Sequence, residues 1–164
     1  MNTARMLCMN VMIIKPTERH IEQMVKLADS ARQYHIDILN GYFKAEATSV
    51  ERDVIIQYVS QDEKYINLIA VDDKDIVLGF LLGDVLYKPW LENAKIGKVS
   101  NFVVDESVRR CGIGTLLMDA FISECKKREL QEVTLGVYNK NTNAYNFYTK
   151  YGFEPIVQKM KKKL

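Results

Sequence analysis

The 164-residue sequence has few of the residues that build metal centres and disulfide frameworks. Its three cysteines, Cys8, Cys111 and Cys125, are odd in number, and none of them forms a CxxC pair. Its two histidines, His20 and His35, are too few and too isolated for a metal centre. The sequence therefore indicates neither a zinc site nor a disulfide framework, and we expect no metal. Unpaired cysteines suit the reducing cytoplasm, which is the location we expect.

Long apolar runs and a strong excess of charge of one sign are also missing. No stretch approaches the ~20 consecutive apolar residues of a membrane-spanning helix, so we expect no membrane segment. The formal net charge is +2, which gives no general reason to expect nucleic-acid binding. The most basic stretch, Lys159 to Lys163, stands at the end of the sequence, where a run of like charges is usually solvated. We therefore expect no nucleic-acid partner.

Length and composition favour one globular domain. The sequence is 48% hydrophobic and 27% charged, which argues against disorder, and its length allows a single sizeable core. No repeat, linker or low-complexity segment divides it. We expect residues 1–164 to form one domain, with 1–8 as a frayed start that lacks a signal-peptide pattern and 160–164 as a basic tail.

Hydrophobic periodicity predicts helices and strands that alternate along the chain. Helical spacing predicts helices from Thr17 to about Gln33 and over 49–60, 113–128 and 144–151. Alternating or short apolar runs predict strands over 9–15, 65–71, 76–86, 94–104, 133–137 and 153–159. Gly79 and Gly83 inside one predicted strand suggest a bulge or a close backbone approach. Because the early strands connect as hairpins and the later ones through helices, the order predicts an α/β (α+β) domain with a mixed sheet.

The stretch from Val99 to Gly114 contains the main candidate for a ligand site. A buried strand is followed by a polar turn, two arginines, two glycines and the apolar face of a helix that starts at Ile113. A helix N-terminus offers unpaired backbone N–H groups and the positive end of its dipole, and glycines let a ligand approach the backbone. With Arg109 and Arg110 beside these groups, the stretch predicts a phosphate or pyrophosphate site. The phosphate-loop pattern GxxxxGK[ST] is absent, and the dinucleotide pattern GxGxxG lacks its third glycine.

Two motifs in this region resemble those of a known family. Arg109-Arg110-Cys111-Gly112-Ile113-Gly114 is similar to the [RQ]-x-x-G-x-[GA] signature of the GCN5-related N-acetyltransferase (GNAT) superfamily. A second segment, Asn141 to Phe153, resembles the family pattern N-x-x-A-x-x-(apolar)-Y-x-x-x-G-F. One predicted strand separates the two motifs, as the family requires.

The resemblance implies both a fold and an activity. The implied fold is a mixed, mostly antiparallel sheet of six to seven strands, with a splayed parallel pair at its centre and about four flanking helices. The implied enzyme is an acyltransferase that transfers an acetyl group from acetyl-CoA to a primary amine. In the family the amine attacks directly in a ternary complex, without a metal.

The resemblance also implies roles for residues at the two motifs. The pantetheine arm of acetyl-CoA would lie between the strand that ends at Val104 and the strand 133–137, and a backbone N–H near Phe102 to Val104 would polarise the thioester carbonyl. The pyrophosphate would lie on the backbone N–H groups of Cys111 to Thr115. Tyr148 matches the tyrosine that protonates the departing CoA thiolate. The residues assigned to acetyl-CoA in this way are Phe102, Val103, Val104, Arg109, Arg110, Cys111, Gly112, Ile113, Gly114, Thr115 and Asn141.

Several of these residues have a structural alternative. Tyr148 stands among other aromatic residues and fits a core position as well. Arg110 fits a solvated charge, and Asn141 fits a turn or a helix N-terminus. Cys111 at a helix N-terminus has the setting of a nucleophile. Because the family reaction needs no cysteine there, its backbone N–H is the contribution we expect.

The sequence departs from the family at the expected general base. Many relatives carry a glutamate on the strand before the glycine loop, and Ser100 and Asn101 stand at that place here. Asp84 and Glu92 are other candidate carboxylates, and a water relay is a further alternative. The base is therefore unassigned. This leaves a second hypothesis open, a CoA-binding regulatory or interaction module with little or no turnover.

The acceptor site of this fold is built by the connection between the first two helices and by the loop after the third strand, here 34–48 and 87–93. Aromatic residues and a few carboxylates in these segments suit a small cationic amine. We expect a small-molecule or peptide amine as acceptor, and a homodimer by analogy with relatives. The residues in question are Tyr34, His35, Asp37, Tyr42, Phe43, Glu46, Tyr87, Trp90 and Glu92.

Overall fold

The computed structural model describes residues 10–39, 48–60 and 63–162. In chain order the elements are β1 (Met12–Ile14), α1 (Ile21–Leu39), α2 (Thr48–Val59), β2 (Tyr65–Val71), β3 (Val77–Tyr87), β4 (Lys95–Val104), α3 (Ile113–Lys127), β5 (Glu132–Leu135) and α4 (Thr142–Lys150). Short 3-10 turns at Glu18–His20 and Glu106–Val108 precede α1 and α3. The mixed α/β class predicted from the sequence is confirmed.

The described strands form one sheet in the order β1-β2-β3-β4-β5. The first three pairings are antiparallel, and β4 pairs with β5 in parallel. This is the mostly antiparallel sheet with one parallel pair that we expected. The parallel pair lies at one edge of the five described strands, whereas six to seven strands with a central pair were expected.

Helices cover both faces of the sheet because side chains alternate along each strand. On one face Phe80 and Leu82 of β3 pack into a core with α1 and α2. On the other face Leu81 joins a second core with Phe121 of α3. The aromatic residues of α4 pack at the border of this second core. The candidate motifs therefore lie on the face of the sheet that carries α3 and α4.

Helix α1 is longer than its sequence pattern predicted. Pro16 ends β1, and Thr17 precedes the helical segment with its backbone N–H donating to Nδ1 of the buried His20 at 2.9 Å. The helix was expected to end near Gln33, but it continues to Leu39. Residues after Gln33 have no regular apolar period, and helical structure there is stabilised by contacts with distant residues.

The last predicted strand, over 153–159, is wrong for the described residues. This segment follows α4 without regular structure, and Ile156, Val157 and Met160 are 76%, 83% and 85% exposed. A strand requires a hydrogen-bonded neighbour, and among the described residues β5 pairs only with β4. The preceding strand is also shorter than expected, since β5 ends at Leu135.

Some expectations fall on residues outside the described ranges. These are the frayed start at 1–8, the Asn40-Gly41 turn, and the acceptor candidates Tyr42, Phe43 and Glu46. In the part of the chain that is described, no helix is both long and apolar enough to cross a membrane.

Candidate active site

A gap opens between β4 and β5 beside the two candidate motifs. Parallel pairing begins at Ile96 with Glu132 and ends at Val99 with Leu135. There β5 stops, while β4 continues to Val104, paired with β3 on its other side. From residue 100 to residue 104, the edge of β4 that faces away from β3 has no strand partner in the described structure. An extended molecule can add to this edge.

Two residues of β4 direct their backbone groups into the gap. The N–H of Asp105 donates to a carbonyl of β3 at 2.9 Å, and successive residues of an antiparallel strand alternate in direction. Val103 therefore turns its backbone groups toward β3, whereas Phe102 and Val104 present theirs to the gap. Nε of Arg109 donates to the carbonyl of Val104 at 3.3 Å. Of the three predicted strand residues, Phe102 and Val104 can contact a ligand through the backbone. The backbone of Val103 faces β3, and its side chain packs against the core with α1 and α2.

The glycine loop between β4 and α3 contains two residues in the left-handed region. Arg110 has a φ of 66° and Gly112 a φ of 84°. Gly112 is the N-cap of α3, and a Cβ built on it would meet no atom within 4 Å. No hydrogen bond between described residues uses the backbone N–H groups of 110–115. Open N–H groups of this kind, at a helix N-terminus, suit an anion.

The two arginines of the loop have different surroundings. Besides its hydrogen bond to Val104, Arg109 places Nη1 of its guanidinium 4.0 Å from Oε1 of Glu106. The same guanidinium lies 5.7 Å from the centre of the Tyr34 ring. Arg109 thus connects the loop to β4 and α1. Arg110 is exposed beside the open N–H groups, so its guanidinium is the one placed to turn toward a bound phosphate.

The first turn of α3 is fixed by packing on both sides. Ile113 is buried in the second core. A Cβ on Gly114 would stand 3.5 Å from the ring of Phe102, so the helix start lies directly against β4. The hydroxyl of Tyr151 lies 3.1 Å from the carbonyl of Thr115. These contacts hold the loop between β4 and α4.

Tyr148 lies in an aromatic cluster between α4 and β4. Its ring centre is 5.6 Å from that of Phe147, 6.4 Å from that of Phe102 and 5.8 Å from that of Phe153. No hydrogen bond between described residues engages its hydroxyl, and burial raises the pKa of Tyr148 to about 12. The phenol is therefore protonated at neutral pH. Its contact with Phe102 places it next to the residue that faces the gap.

The end of α1 meets the second motif. Asn141 is the N-cap of α4, where its Oδ1 accepts from the N–H of Ala144 at 3.2 Å. Its Nδ2 lies 3.4 Å from Nε2 of His35, whose ring contacts Tyr138 edge-on. Burial lowers the pKa of His35. Asn141 therefore has the capping role named as its structural alternative, and α1 reaches both motifs, through Tyr34 and His35.

The candidate base residues separate into two groups. Asn101 is exposed, and Glu92 is exposed in the loop after β3. In contrast, the carboxylate of Asp84 on β3 accepts hydrogen bonds from Ser100 and from Tyr58. Two residues that the sequence named separately are thus in contact. Tyr58 was missed because its helical spacing marks only an apolar face of α2, and nothing in that pattern points to a partner 26 residues later.

The expected acceptor loop is largely exposed. Trp90 is 76% and Tyr87 69% exposed. A cavity of about 470 Å³ lies elsewhere, with Lys15, Asn67 and Arg128 among its lining residues and none of the residues assigned to acetyl-CoA. Among the described residues no group of three His, Cys, Asp or Glu side chains is placed to hold a metal ion.

Comparison with known proteins gives a family match. The acetyltransferase (GNAT) family matches residues 32–153, a range that contains both motifs. Over 96 residues the chain is 31% identical to the Uncharacterized N-acetyltransferase MJ1207 of Methanocaldococcus jannaschii. That match covers 58% of this chain and 42% of the relative, so the chain spans less than half of that protein's length.

Solved structures with the same fold support the match. A mutant of the BH1408 protein from Bacillus halodurans has a TM-score of 0.85 and 26% identity over 93% of this chain and 99% of that one. An aminoglycoside N-acetyltransferase, AAC(6')-Iy in complex with CoA, has a TM-score of 0.69 and 16% identity over 95% of each chain, a likeness that shows the fold alone. Because the family match covers most of the sequence and both of its motifs, this chain belongs to the GNAT family of acetyltransferases.

Proposed function

We propose that the protein is an acetyl-CoA-dependent N-acetyltransferase that transfers an acetyl group to a primary amine by direct attack in a ternary complex. The observation that carries the proposal is the gap between β4 and β5, which leads into an open glycine loop at the N-terminus of α3. An extended substrate with phosphate groups toward one end fits both features at once. Acetyl-CoA, with its pantetheine arm and pyrophosphate, has this shape.

Binding uses the backbone more than the side chains. The amides of the pantetheine arm pair with Phe102 and Val104, as an added strand would. The pyrophosphate accepts hydrogen bonds from the N–H groups of residues 110–115 and from the Arg110 guanidinium. The unpaired edge from Ser100 to Val104 is about 13 Å long at ~3.3 Å per residue. An arm laid along it brings the thioester to the closed end of the gap.

The chemistry needs one electrophile, one nucleophile and two proton transfers. The amine nitrogen attacks the thioester carbonyl carbon, the C–N bond forms and the C–S bond breaks. The N–H of Phe102 donates to the carbonyl oxygen as negative charge develops on it. Tyr148 gives its proton to the departing thiolate. The burial that raises the pKa of Tyr148 also raises the pKa of a thiolate formed beside it, so the phenol remains a workable donor.

The acceptor in this proposal is a small-molecule or peptide amine. It approaches from the side of α1, where Tyr34 and His35 border both motifs. We also propose that residues 1–164 form one domain, that it works as a homodimer, and that it acts in the cytoplasm. The described cysteines, Cys111 and Cys125, are free thiols, as a reducing compartment would keep them.

A matched pair of glycine variants tests the pyrophosphate site. Gly112 and Gly152 both have a φ of 84°, and a Cβ on either would meet no atom within 4 Å. Ala at both positions therefore carries similar backbone strain, about 1–2 kcal/mol, and should lower the melting temperature equally. Only Gly112→Ala places the added methyl group in the glycine loop, at the N-cap of α3. We expect it to weaken CoA binding, measured by calorimetry, about 10- to 100-fold, since charge-assisted hydrogen bonds are worth about 1.5–3 kcal/mol.

Turnover is tested separately from binding. The wild-type protein should gain thermal stability with acetyl-CoA and release free thiol when an amine panel is added. Stabilisation by acetyl-CoA without thiol release from any amine would favour the CoA-binding module instead. Equal CoA affinity in Gly112→Ala, Gly152→Ala and wild type would disprove the pyrophosphate assignment.

A further inference from the structure

Asp84 is the centre of a hydrogen-bonded group that links α2, β3 and β4. On one side its Oδ1 accepts from the hydroxyl of Tyr58 of α2 at 2.9 Å. On the other side its Oδ2 accepts from the hydroxyl of Ser100 of β4. Asp84 and Ser100 are both half-buried, so neither is sealed in a core. A carboxylate and a hydroxyl thus meet on the face of the sheet that carries α1 and α2.

A β-bulge places Ser100 at the point where the gap begins. In the pairing of β3 with β4, Leu82 lies opposite Asn101 and Gly83 lies opposite Val99, which leaves Ser100 as the extra residue. Val99 is also the last residue of β4 that pairs with β5. Ser100 is therefore the first residue of β4 beyond the parallel pairing. Bulges commonly redirect a side chain in this way next to active sites.

The hydrogen-bond directions leave Ser100 with an acceptor function. A serine hydroxyl has one hydrogen and two lone pairs, and Ser100 uses its hydrogen for Asp84. The Tyr58 side chain is also within hydrogen-bond reach of Ser100, and a remaining lone pair of Ser100 can accept an N–H from a molecule in the gap. Tyr58 cannot compete for a proton, because burial raises its pKa to about 12 and keeps it a donor. The other titratable groups opposite Asp84 in register are Tyr65 of β2 and Lys98 of β4.

We propose that Ser100 and Asp84 form a relay that takes the proton from the acceptor amine, so that this pair replaces the glutamate that many relatives carry. The inference rests on the proposed function and deepens it. As the C–N bond forms, the amine proton passes to Oγ of Ser100 while the serine proton passes to Asp84. The electron pair of the broken C–S bond leaves with sulfur, which takes its proton from Tyr148. Proton exchange with water then restores Asp84 and Tyr148 for the next turnover.

Ser100 is the group that contacts the amine, and Asp84 acts through it. A purely structural alternative is that the group only fastens α2 to the sheet. The two roles differ in what each variant changes. Fastening depends on Tyr58 as much as on Ser100, whereas the relay needs Ser100 and Asp84 and does not need Tyr58.

The test compares Ser100→Ala, Asp84→Asn, Ser100→Thr and Tyr58→Phe with wild type in a thiol-release assay, with the stabilisation by acetyl-CoA measured in parallel. Loss of general-base catalysis is worth about 10²–10⁴-fold. We expect Ser100→Ala and Asp84→Asn to lower kcat by about 100-fold or more, with the KM for acetyl-CoA unchanged. Ser100→Thr keeps the hydroxyl and should retain most of the activity, and Tyr58→Phe should lose less than about 10-fold on the same scale.

A pH profile gives a second readout that fastening would not move. Without the relay this proton must pass to water or hydroxide as the C–N bond forms, so the rate of Asp84→Asn should rise more steeply with pH than that of wild type, by up to about tenfold per pH unit. Wild-type kcat in both Ser100→Ala and Asp84→Asn at every pH would overturn the relay. A loss of kcat that only follows a loss of acetyl-CoA binding, equal in Tyr58→Phe, would also overturn it and leave the fastening role. If wild type turns over no amine, the proposed function fails and the relay fails with it.

Discussion

The hydroxyl of Tyr148 offers the sharpest test of whether the second motif is catalytic or structural. Tyr148 and Tyr151 lie on the same helical segment, three residues apart, and both have a pKa raised to about 12, mainly by burial. Their hydroxyl groups differ. No described residue bonds to that of Tyr148, whereas that of Tyr151 is 3.1 Å from the carbonyl of Thr115 and 2.7 Å from Oδ1 of Asp119. The same Tyr→Phe change therefore removes different interactions at the two positions.

The two variants should change different quantities, the rate in one case and the stability in the other. Tyr148→Phe removes no protein hydrogen bond, so we expect its free energy of unfolding to stay within about 0.5 kcal/mol of wild type. If the phenol protonates the thiolate, kcat should fall about 10²- to 10⁴-fold. Tyr151→Phe removes a partly solvated bond to a carboxylate, which should cost about 1 kcal/mol. For a chain of this size that lowers Tm by about 2–4 °C, with kcat close to wild type.

Thermal unfolding and steady-state kinetics on the two variants measure both effects. The KM for acetyl-CoA should stay unchanged in Tyr148→Phe, because the backbone and not this hydroxyl holds the substrate. The reasoning is refuted if Tyr148→Phe turns over at the wild-type rate, or if it lowers Tm as much as Tyr151→Phe does. Either result would mean that Tyr148 is an aromatic core residue without a catalytic role.

Two further predictions concern stability. A Cβ on Gly83 would overlap the ring of the fully buried Phe121, so Gly83→Ala should lower the free energy of unfolding in urea by about 1–3 kcal/mol. The control is Gly136→Ala, whose Cβ would meet nothing within 4 Å and which should be nearly neutral. Equal losses in the two variants would contradict the packing. The pKa values of Tyr58 and Tyr148 are raised to about 12 by burial, above about 10 in an unfolded chain. The folded state therefore holds these protons more tightly, and its stability should fall as pH rises from about 10 through 12. Unfolding curves in this range should show the loss, and Tyr148→Phe should reduce it; a flat profile would contradict the shifts.

Local patterns predicted most of the elements because their signals lie within a few residues. Strand β2 has the predicted bounds, and its hairpin with β3 follows from a polar turn between two apolar runs. The bulge suggested by Gly83 is present in the pairing of β3 with β4. The sequence patterns gave wrong predictions where contacts with distant residues determine the secondary structure. The last turns of α1 are helical with contacts to Arg109 and Asn141, and the apolar segment after Phe153 has no described neighbour to make it a strand.

The sequence by itself determined the family, the mixed sheet and the two motifs, since these depend on residue order and on spacing within single elements. Only the tertiary structure decided which side chains meet. The gap exists because β4 outlasts β5 in their pairing, and the contact between Asp84 and Ser100 exists because a bulge turns one residue toward the neighbouring strand. Ser100 and Asp84 are 16 residues apart, and hydrophobic periodicity does not show contacts between residues at that separation. The sequence named Ser100 and Asp84 separately in the search for a base, and it gave no sign that the two side chains are in contact.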